Sequence, residues 1–383
     1  MTCINTTFLN TTCNSTNNNM NYQLNMTSNM SCQISKVSIQ VLLYTLLMVI
    51  VLLTSFVGNS LVVVAALMSR QLRSKISTSF VVSLAISDLS LSVTQIPFKI
   101  SHILTQKFCF GNELCYFYLV FDVIGNVASI LSLLLIAVDR FVAITMPFRY
   151  PKIMNKLRGR VLIVIVWTFA IAWSFLGIPK WSSHLKGSNI RKNEEFNTCT
   201  NENYAFYLTS YFGVYVPSLV LMTCIYLKIL HVVVRHIKAI DATTPKHNMF
   251  HLIKDSKAKK CEKSKFSREL KATKSLAFVY LAFVICWFPS CVINIIIFID
   301  NHYFPELKKH KLLLINILYY AFVDILPIIN TMVNPFIYSF SNKLFLEAFK
   351  RVIYKATGGF IFSSYISFQK SNTSPLNSKC QKI

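Results

Sequence analysis

The sequence predicts an all-α membrane protein: a bundle of seven transmembrane helices followed by a short amphipathic helix. Hydrophobic residues make up 54% of the 383 residues and charged residues only 14%, whereas about a quarter are charged in an ordinary soluble protein. The mean hydropathy is +0.49. Seven stretches contain at most one charged residue, and each is close to or longer than the roughly 20 residues that cross a bilayer. A soluble enzyme and a disordered chain are therefore not expected.

Each of these stretches is expected to be helical, because lipid offers no partners for backbone polar groups. In order, they are Val37–Ser69, Ile76–Phe98, Leu114–Val138, Val161–Pro179, Asn203–Leu227, Ser275–Ile299 and Leu312–Asn342. They divide the chain into an N-terminal tail (1–36), the bundle (37–341), an amphipathic membrane-surface helix (342–354) and a C-terminal tail (355–383).

The basic residues predict the orientation of the bundle. The formal net charge is +24, and most Lys and Arg residues fall on the side of the membrane that also holds the C-terminal tail. Cytoplasmic loops carry such an excess, so we expect a multi-pass plasma membrane protein with an extracellular N-terminus. The basic run Lys254–Lys274 is then a solvated inner face near anionic membrane lipid, and no nucleic-acid partner is expected.

The N-terminal tail fits this orientation. It contains five Asn-x-Ser/Thr sites, which begin at Asn5, Asn10, Asn14, Asn25 and Asn29. Several such sites in a short tail indicate a glycosylated extracellular segment.

Three carboxylates lie inside predicted membrane helices: Asp88, Asp122 and Asp324. A carboxylate in this position is costly, so it indicates a functional site. Asp122 precedes Asp139 by a helical distance of about 26 Å, which places Asp122 in the outer half of the bundle. An acid open to an outer vestibule suits an ammonium ligand, since the ligand loses water on binding and needs an opposite charge. The alternative is an acid bonded to a neighbouring helix for structure.

Two cysteines on the predicted outer side are candidates for a disulfide. Cys115 begins the third segment and Cys199 lies in the loop before the fifth, where the compartment is oxidising. Cys109 is a nearby competitor, and the pairing of Cys3, Cys13 and Cys32 stays open.

Several motifs occur on successive helices in the order typical of one receptor class. They are Gly58-Asn59, Leu84-Ala85-Ile86-Ser87-Asp88, Cys115, Asp139-Arg140-Phe141, Trp167, Pro217, Cys286-Trp287-Phe288-Pro289 and Asn334-Pro335-Phe336-Ile337-Tyr338. Over roughly residues 36–354 the chain resembles the rhodopsin-like class of G protein-coupled receptors. The resemblance implies a receptor, not an enzyme, that activates a heterotrimeric G protein, with arrestin and receptor kinases as further partners.

Within this class the chain is most similar to the biogenic-amine receptors. Asp122 stands where that branch has its amine-binding aspartate, and Arg268–Leu276 reads like its entry to the sixth helix. The resemblance implies ligand contacts at Asp122, Val123, Asn126, Thr209, Ser210, Gly213, Trp287, Ser290, Cys291 and Asp324. The alternative for Thr209 and Ser210 is a hydrogen bond to their own helix backbone.

The chain also departs from the amine branch. Ser290 and Cys291 replace two aromatic residues, Ile328 replaces a tyrosine, and Asp324 adds a second acid that could bind a diamine. A peptide, nucleoside or lipid ligand is therefore an alternative to an amine. An ion-translocating protein is a further alternative, although seven segments without an inverted repeat are not typical of one.

The resemblance also assigns roles to residues deeper in the bundle. A polar cluster, which either binds an allosteric sodium ion at Asp88 or holds water, consists of Asp88, Ser129, Asn330 and Asn334. No other cofactor is implied. The activation switch consists of Ile130, Pro217, Phe283, Trp287 and Tyr338, of which the apolar members are also ordinary core candidates. The G protein-coupling end contains Asp139 and an ion lock between Arg140 and Glu269.

Overall fold

The computed structural model describes residues 38–105, 107–178, 190–193, 198–201, 204–242, 277–296, 320–341 and 343–358. Within these ranges the chain forms long helices, which we number α1 to α8. The N-terminal tail with its five glycosylation sites lies outside the described residues, as do Glu269 and the C-terminal tail beyond residue 358.

The first four long helices are α1 (Ile39–Met68), α2 (Ile76–Thr94, continued by Ile96–Thr105), α3 (Asn112–Thr145) and α4 (Lys156–Leu176). Two of them, α1 and α4, begin at a side-chain cap. The Ser38 hydroxyl caps α1 by accepting from the Val41 backbone N–H at 3.3 Å. The Asn155 side chain caps α4, because its Oδ1 accepts from the Arg158 backbone N–H at 2.8 Å. The interruption of α2 at Gln95 precedes Pro97, whose ring removes a backbone donor.

The remaining helices complete the bundle. They are α5 (Tyr204–Ser210, a π-helical turn Tyr211–Tyr215, then Val216–Ala242), α6 (Ala277–Ile296), α7 (a π-helical turn Tyr320–Ile325, then Leu326–Ser341) and α8 (Lys343–Ala356). Two single-turn helices, Arg70–Arg73 and Tyr150–Ile153, lie in the connections. In the described part of the chain, α1 to α6 are each long and apolar enough to span a membrane.

The helices extend beyond the uncharged segments that predicted them. The second helix continues past Lys99 to Thr105, the third past Asp139 and Arg140, and the fifth past Lys228. These ends lie where a membrane helix meets water, so charged side chains do not stop the backbone ladder. Among the described residues, the one departure from an all-α fold is an antiparallel pair of strands, β1 (Ile190–Asn193) and β2 (Thr198–Asn201).

Helix α3 forms the centre of the bundle. It packs against α2, α4 and α5, and the main core joins its buried residues Val127 and Ile130 to Phe283 of α6 and Tyr338 of α7. Large apolar side chains on the outer helix faces, such as Leu43 and Val57 of α1, are exposed. That distribution is the one expected when lipid replaces water around the bundle.

A proline in α7 is matched to an asparagine in α1. Pro335 lies inside α7 and has no N–H, so the Thr331 carbonyl four residues earlier lacks its helical donor. The Asn59 side chain fills this vacancy, since its Nδ2 donates to the Thr331 oxygen at 2.9 Å. Gly58 permits the approach, because a Cβ there would lie 2.9 Å from the Pro335 ring.

We predict that Gly125→Ala destabilises the bundle. A Cβ on Gly125 would lie 2.6 Å from both Cγ and Cδ2 of Leu91 in α2, and overpacking of this kind costs about 1–3 kcal/mol. The melting temperature of the purified protein should fall by a few degrees. Gly111→Ala is the control, since nothing lies within 4 Å of its Cβ position. Equal melting temperatures for the two variants would contradict this account of the α2–α3 contact.

Candidate functional site

The Asp122 carboxylate lies on α3, half-buried within the bundle. The Asn126 side chain, one turn further on, donates from Nδ2 to Asp122 Oδ1 at 3.0 Å. Both residues belong to the predicted ligand set, and the half-buried Val123 lies against the main core between them. The carboxylate is therefore only partly removed from water.

An aromatic stack from α5 and α6 lies in the same region. The Tyr215 ring lies 5.3 Å from the Trp287 ring, and the Trp287 ring lies 5.8 Å from Phe283, with interplanar angles of 22° in both pairs. The Asp122 carboxylate and the Cys291 thiol lie in the neighbourhood of the Tyr215 hydroxyl. The stack therefore connects the surroundings of Asp122 to the core around Phe283.

Next to the two small residues Ser290 and Cys291, an aromatic neighbour of Trp287 comes from α5. Ser290 and Cys291 are small, and both are buried in α6. The π-helical turn Tyr211–Tyr215 inserts an extra residue into α5, which changes the direction of the side chains around it. Tyr215 consequently supplies an aromatic face against Trp287 from the opposite helix. The sequence motifs give no signal for Tyr215, because the π-helical turn that directs its side chain leaves no pattern in the sequence.

The predicted hydroxyl contacts of α5 are engaged with protein atoms. Ser210 is buried, donates to the Phe206 carbonyl at 2.8 Å and accepts from the Trp173 indole N–H at 3.0 Å. Thr209 is exposed and donates to the Ala205 carbonyl at 2.7 Å. Gly213 is also exposed, with the Thr209 methyl 3.9 Å from its Cβ position. This arrangement matches the alternative in which both hydroxyls bond their own helix.

Asp324 lies in the π-helical turn of α7, and its side chain is outside the described part of the structure. Ile328, four residues later, is buried among apolar residues of α1 and α2. The position where amine receptors often place a tyrosine therefore belongs to a separate apolar cluster in this protein.

A second carboxylate, Asp88, lies fully buried in the polar cluster. Asn334 Nδ2 donates to its Oδ2 at 2.8 Å, and the Ser129 hydroxyl lies 3.5 Å from its Oδ1. The side-chain oxygens of Asn59, Asn330 and Asn334 are buried and accept no hydrogen bond from any described residue. Buried acceptors without donors fit either a hard cation or water. Among the described residues no group of three or more His, Cys, Asp or Glu side chains could hold a metal ion.

The other end of α3 contains a charged cluster. Arg140 pairs with Asp139 at 2.5 Å, and both also hydrogen bond to the Ser77 hydroxyl of α2. The Tyr150 hydroxyl donates to Asp139 Oδ1 at 2.8 Å. Burial and the neighbouring Asp139 charge raise the pKa of Tyr150 well above its usual range. The sequence motifs identify the Asp139–Arg140 pair but give no signal for Ser77 or Tyr150.

The predicted switch residues occupy different environments. Ile130, Phe283 and Tyr338 are buried in the main core, whereas Pro217 lies on the exposed side of α5. The Tyr338 hydroxyl is buried and makes no hydrogen bond to the part of the chain that is described. Its ring packs 5.7 Å from Phe345 of α8. Glu269, the expected partner of Arg140, lies outside the described residues.

The expected disulfide joins Cys115 of α3 to Cys199 of β2. The competitor, Cys109, belongs to a different disulfide. Cys115 is buried with Phe108 at the end of α3, and both strands of the hairpin contact α3. The loop is thus attached at the end of the bundle nearer to Asp122.

The chain matches the model of one protein family over most of its length. The match to "7 transmembrane receptor (rhodopsin family)" covers residues 58–338. A D(1)-like dopamine receptor of Oreochromis mossambicus is 30% identical over 308 residues, which are 79% of this chain and 76% of the relative. The histamine H2 receptor of Cavia porcellus is 30% identical over 358 residues, or 91% and 88% of the two chains.

These matches confirm the predicted fold class. Two independent features agree: the family model spans the motif-bearing helices, and the described helices are those of a membrane bundle. The members of this family are receptors and not enzymes. The chain belongs to the rhodopsin family of seven-transmembrane receptors and is a multi-pass membrane protein.

Proposed function

We propose that this receptor binds a small cationic amine at Asp122 and activates a heterotrimeric G protein from the end of the bundle that carries Arg140. The observation that carries the proposal is the half-buried Asp122 carboxylate beside the Tyr215–Trp287 stack. An ammonium group would neutralise the charge, and an adjacent ring would pack on the aromatic face. The similarity to dopamine and histamine receptors supports an amine over the alternative ligands.

The orientation that we propose has the N-terminus and the disulfide end outside the cell. It is supported by the distribution of basic residues, because Lys and Arg are concentrated on the side that holds Arg140 and α8. The amphipathic helix α8 would then lie on the inner leaflet, with Phe345 and Phe349 buried and Lys350 and Arg351 on other faces. We also predict that arrestin and receptor kinases bind on this inner side of the bundle.

Signal transfer in this proposal runs through the aromatic stack. A ligand at Asp122 that contacts Tyr215 would shift Trp287, and Trp287 packs on Phe283 in the main core. A ligand changes the state of the receptor only if it binds the two states with different affinity. The Arg140 cluster, which holds α3 to α2 through Ser77, is the element at the opposite end that would respond.

We also propose that the Asp88 cluster binds a sodium ion as an allosteric ligand. Support comes from the donor set: one carboxylate, the Ser129 hydroxyl and buried amide oxygens that lack donors among the described residues. Oxygen ligands of this kind suit a hard monovalent cation. The ion would hold α2 and α3 together with α7 in one state of the bundle.

The first test of the ligand assignment is Asp122→Asn. The change keeps the shape of the side chain but removes the charge that pairs with the ammonium. Because breaking a partly buried ion pair is strongly unfavourable, amine potency should fall at least about a hundredfold. The measurement is second-messenger production in cells, with surface expression determined in parallel. Glu113→Gln is the matched control, since Glu113 lies exposed on the first turn of the same helix. The potency of the amine at this variant should stay unchanged.

A second test concerns the ring end of the ligand. If Tyr215 bonds a ring hydroxyl, Tyr215→Phe should lower the potency of a catecholamine by roughly fivefold to tenfold. The potency of phenethylamine, which lacks ring hydroxyls, should be the same at Tyr215→Phe as at the unchanged receptor. Thr209→Ala serves as the control, because the Thr209 hydroxyl already bonds Ala205. A loss confined to Thr209→Ala would instead assign the ring contact to the hydroxyl position of α5.

A third test concerns the Arg140 cluster. Tyr150→Phe removes the hydrogen bond to Asp139, which should loosen the resting cluster and raise basal G protein signalling several-fold. Ser77→Ala acts on the same carboxylate, so the effects of the two changes should not add.

Because the pKa of Tyr150 is raised, the stabilising contribution of its hydroxyl is complete below about pH 10 and is lost only as the pH rises further. Basal signalling should therefore show no step from this residue between pH 6 and pH 8. Unchanged basal signalling in both variants would exclude a restraining role for this hydrogen-bonded cluster.

A further inference from the structure

A tryptophan of α4 is hydrogen bonded to a serine of α5 beside the proposed ligand site. Trp173 is half-buried, and its indole N–H donates to the Ser210 hydroxyl at 3.0 Å. The Ser210 hydroxyl in turn donates to the Phe206 carbonyl at 2.8 Å. A serine hydroxyl has one proton and two acceptor positions. The protein therefore uses the proton of Ser210 and one of its two acceptor positions.

The indole ring is held in this place by close packing of α4 against α5. The Trp173 ring stacks on Phe169, with ring centroids 5.4 Å apart, and its centroid lies 6.3 Å from that of Phe206. Gly177 permits the approach of the two helices, because a Cβ there would lie 2.7 Å from Phe206 Cε1. Trp173 Cη2 also lies 4.0 Å from the Cβ position of Gly213 in α5. The direction of the indole N–H is therefore set by contacts on both helices.

Ser210 is placed on α5 one turn before the tyrosine that stacks on Trp287. The π-helical turn Tyr211–Tyr215 follows Ser210 directly. Hydrogen bonds in a π-helix join residues five apart, so Ser210 and Tyr215 lie one above the other on the helix. The Tyr215 ring packs on Trp287, and the Asp122 carboxylate lies in the neighbourhood of the Tyr215 hydroxyl. A hydroxyl at Ser210 that was free to bind would be one turn from the ring end of a ligand at Asp122.

The indole bond limits what Ser210 can offer to such a ligand. Ser210 is only 6% exposed, and the bond orients its oxygen toward α4. A ring hydroxyl that displaced the indole would exchange one neutral hydrogen bond for another and leave the indole N–H unpaired, so it would gain little affinity. Thr209, the other predicted hydroxyl contact of α5, is exposed and donates to the Ala205 carbonyl.

We propose that Trp173 is a specificity-determining residue of this receptor. Its indole N–H engages Ser210 and so removes the α5 serine from recognition of the ligand ring. Hydroxylated and unsubstituted aromatic amines are then not distinguished at Ser210, and their discrimination is left to Tyr215. The proposal rests on the proposed amine site at Asp122, but Trp173 itself acts through Ser210 and is a positioning residue.

The test compares a catecholamine with phenethylamine on the full-length receptor in cells, with surface expression determined in parallel. Trp173→Phe keeps an aromatic ring but removes the N–H, so Ser210 can accept a bond from a ring hydroxyl. The potency of the catecholamine relative to phenethylamine should rise about fivefold, the effect of one net hydrogen bond. Adding Ser210→Ala to Trp173→Phe should abolish this gain. An unchanged ratio, or a gain that persists without the Ser210 hydroxyl, would overturn the proposal.

The matched control is Trp167→Phe. Trp167 lies on the same helix, and its indole N–H donates to the buried Ser83 hydroxyl of α2 at 3.1 Å. The control therefore loses an equivalent bond and the same ring volume without changing the contact to α5. The potency ratio of the two amines should equal that of the unchanged receptor. A gain as large as that of Trp173→Phe would mean general loosening of α4 and would contradict a specific role for Trp173.

A second measurement does not depend on the ligand. The chain has four tryptophans, and nuclear magnetic resonance of receptor labelled with nitrogen-15 in the indole groups records one N–H signal for each. The signal lost in Trp173→Phe identifies Trp173, and Ser210→Ala should move it upfield because its hydrogen bond is removed. A signal that stays in place would overturn the proposal whatever ligand the receptor binds. Failure of the amine assignment is recognised separately, since it leaves phenethylamine potency unchanged in Asp122→Asn while the indole signal still moves in Ser210→Ala.

Discussion

The buried carboxylate of Asp88 places the strongest constraint on this bundle. Lipid supplies no hydrogen bonds, so the protein must satisfy every polar group that it buries. Asn334 of α7 and Ser129 of α3 contact the Asp88 carboxylate. The Ser92 hydroxyl of α2 donates to the Asp88 carbonyl and also hydrogen bonds to the Ser55 hydroxyl of α1. Four helices are thereby linked by polar contacts around one residue. The Asn59–Thr331 bond next to Pro335 extends the same requirement to the backbone of α7.

Such a polar centre is well suited to a protein with two states. Apolar packing tolerates many small adjustments, whereas a hydrogen-bond network has a few discrete arrangements. The amide oxygens of Asn330 and Asn334 are buried and accept no hydrogen bond from the described residues, so they are available to an ion or to water. A change in what they bind would alter the contacts that join α7 to its neighbours in the middle of the bundle.

The existence and order of the helices could be predicted from the sequence, whereas their ends and side-chain roles could not. Uncharged length identifies a segment that crosses the membrane, but α3 continues past Asp139 and Arg140 because its end lies at the polar boundary. The π-helical turn in α5 leaves no periodic signal, so the part played by Tyr215 became visible only in three dimensions. Tyr150 lies in the single-turn helix Tyr150–Ile153, whereas Arg140 belongs to α3, and no spacing rule connects the two. Ser210 shows the same limit, because its neighbour Trp173 lies on another helix.

The disulfide between Cys115 and Cys199 has a kinetic consequence. It fastens the β-hairpin covalently to the end of α3, about 10 Å along the helix from Asp122. A loop held in this way cannot swing clear of the bundle mouth as an untethered loop of equal length would. A ligand that reached Asp122 past the hairpin would meet a fixed obstacle, which would slow its escape as well as its arrival. The covalent tether would then act on the dwell time of the bound molecule more than on its equilibrium affinity.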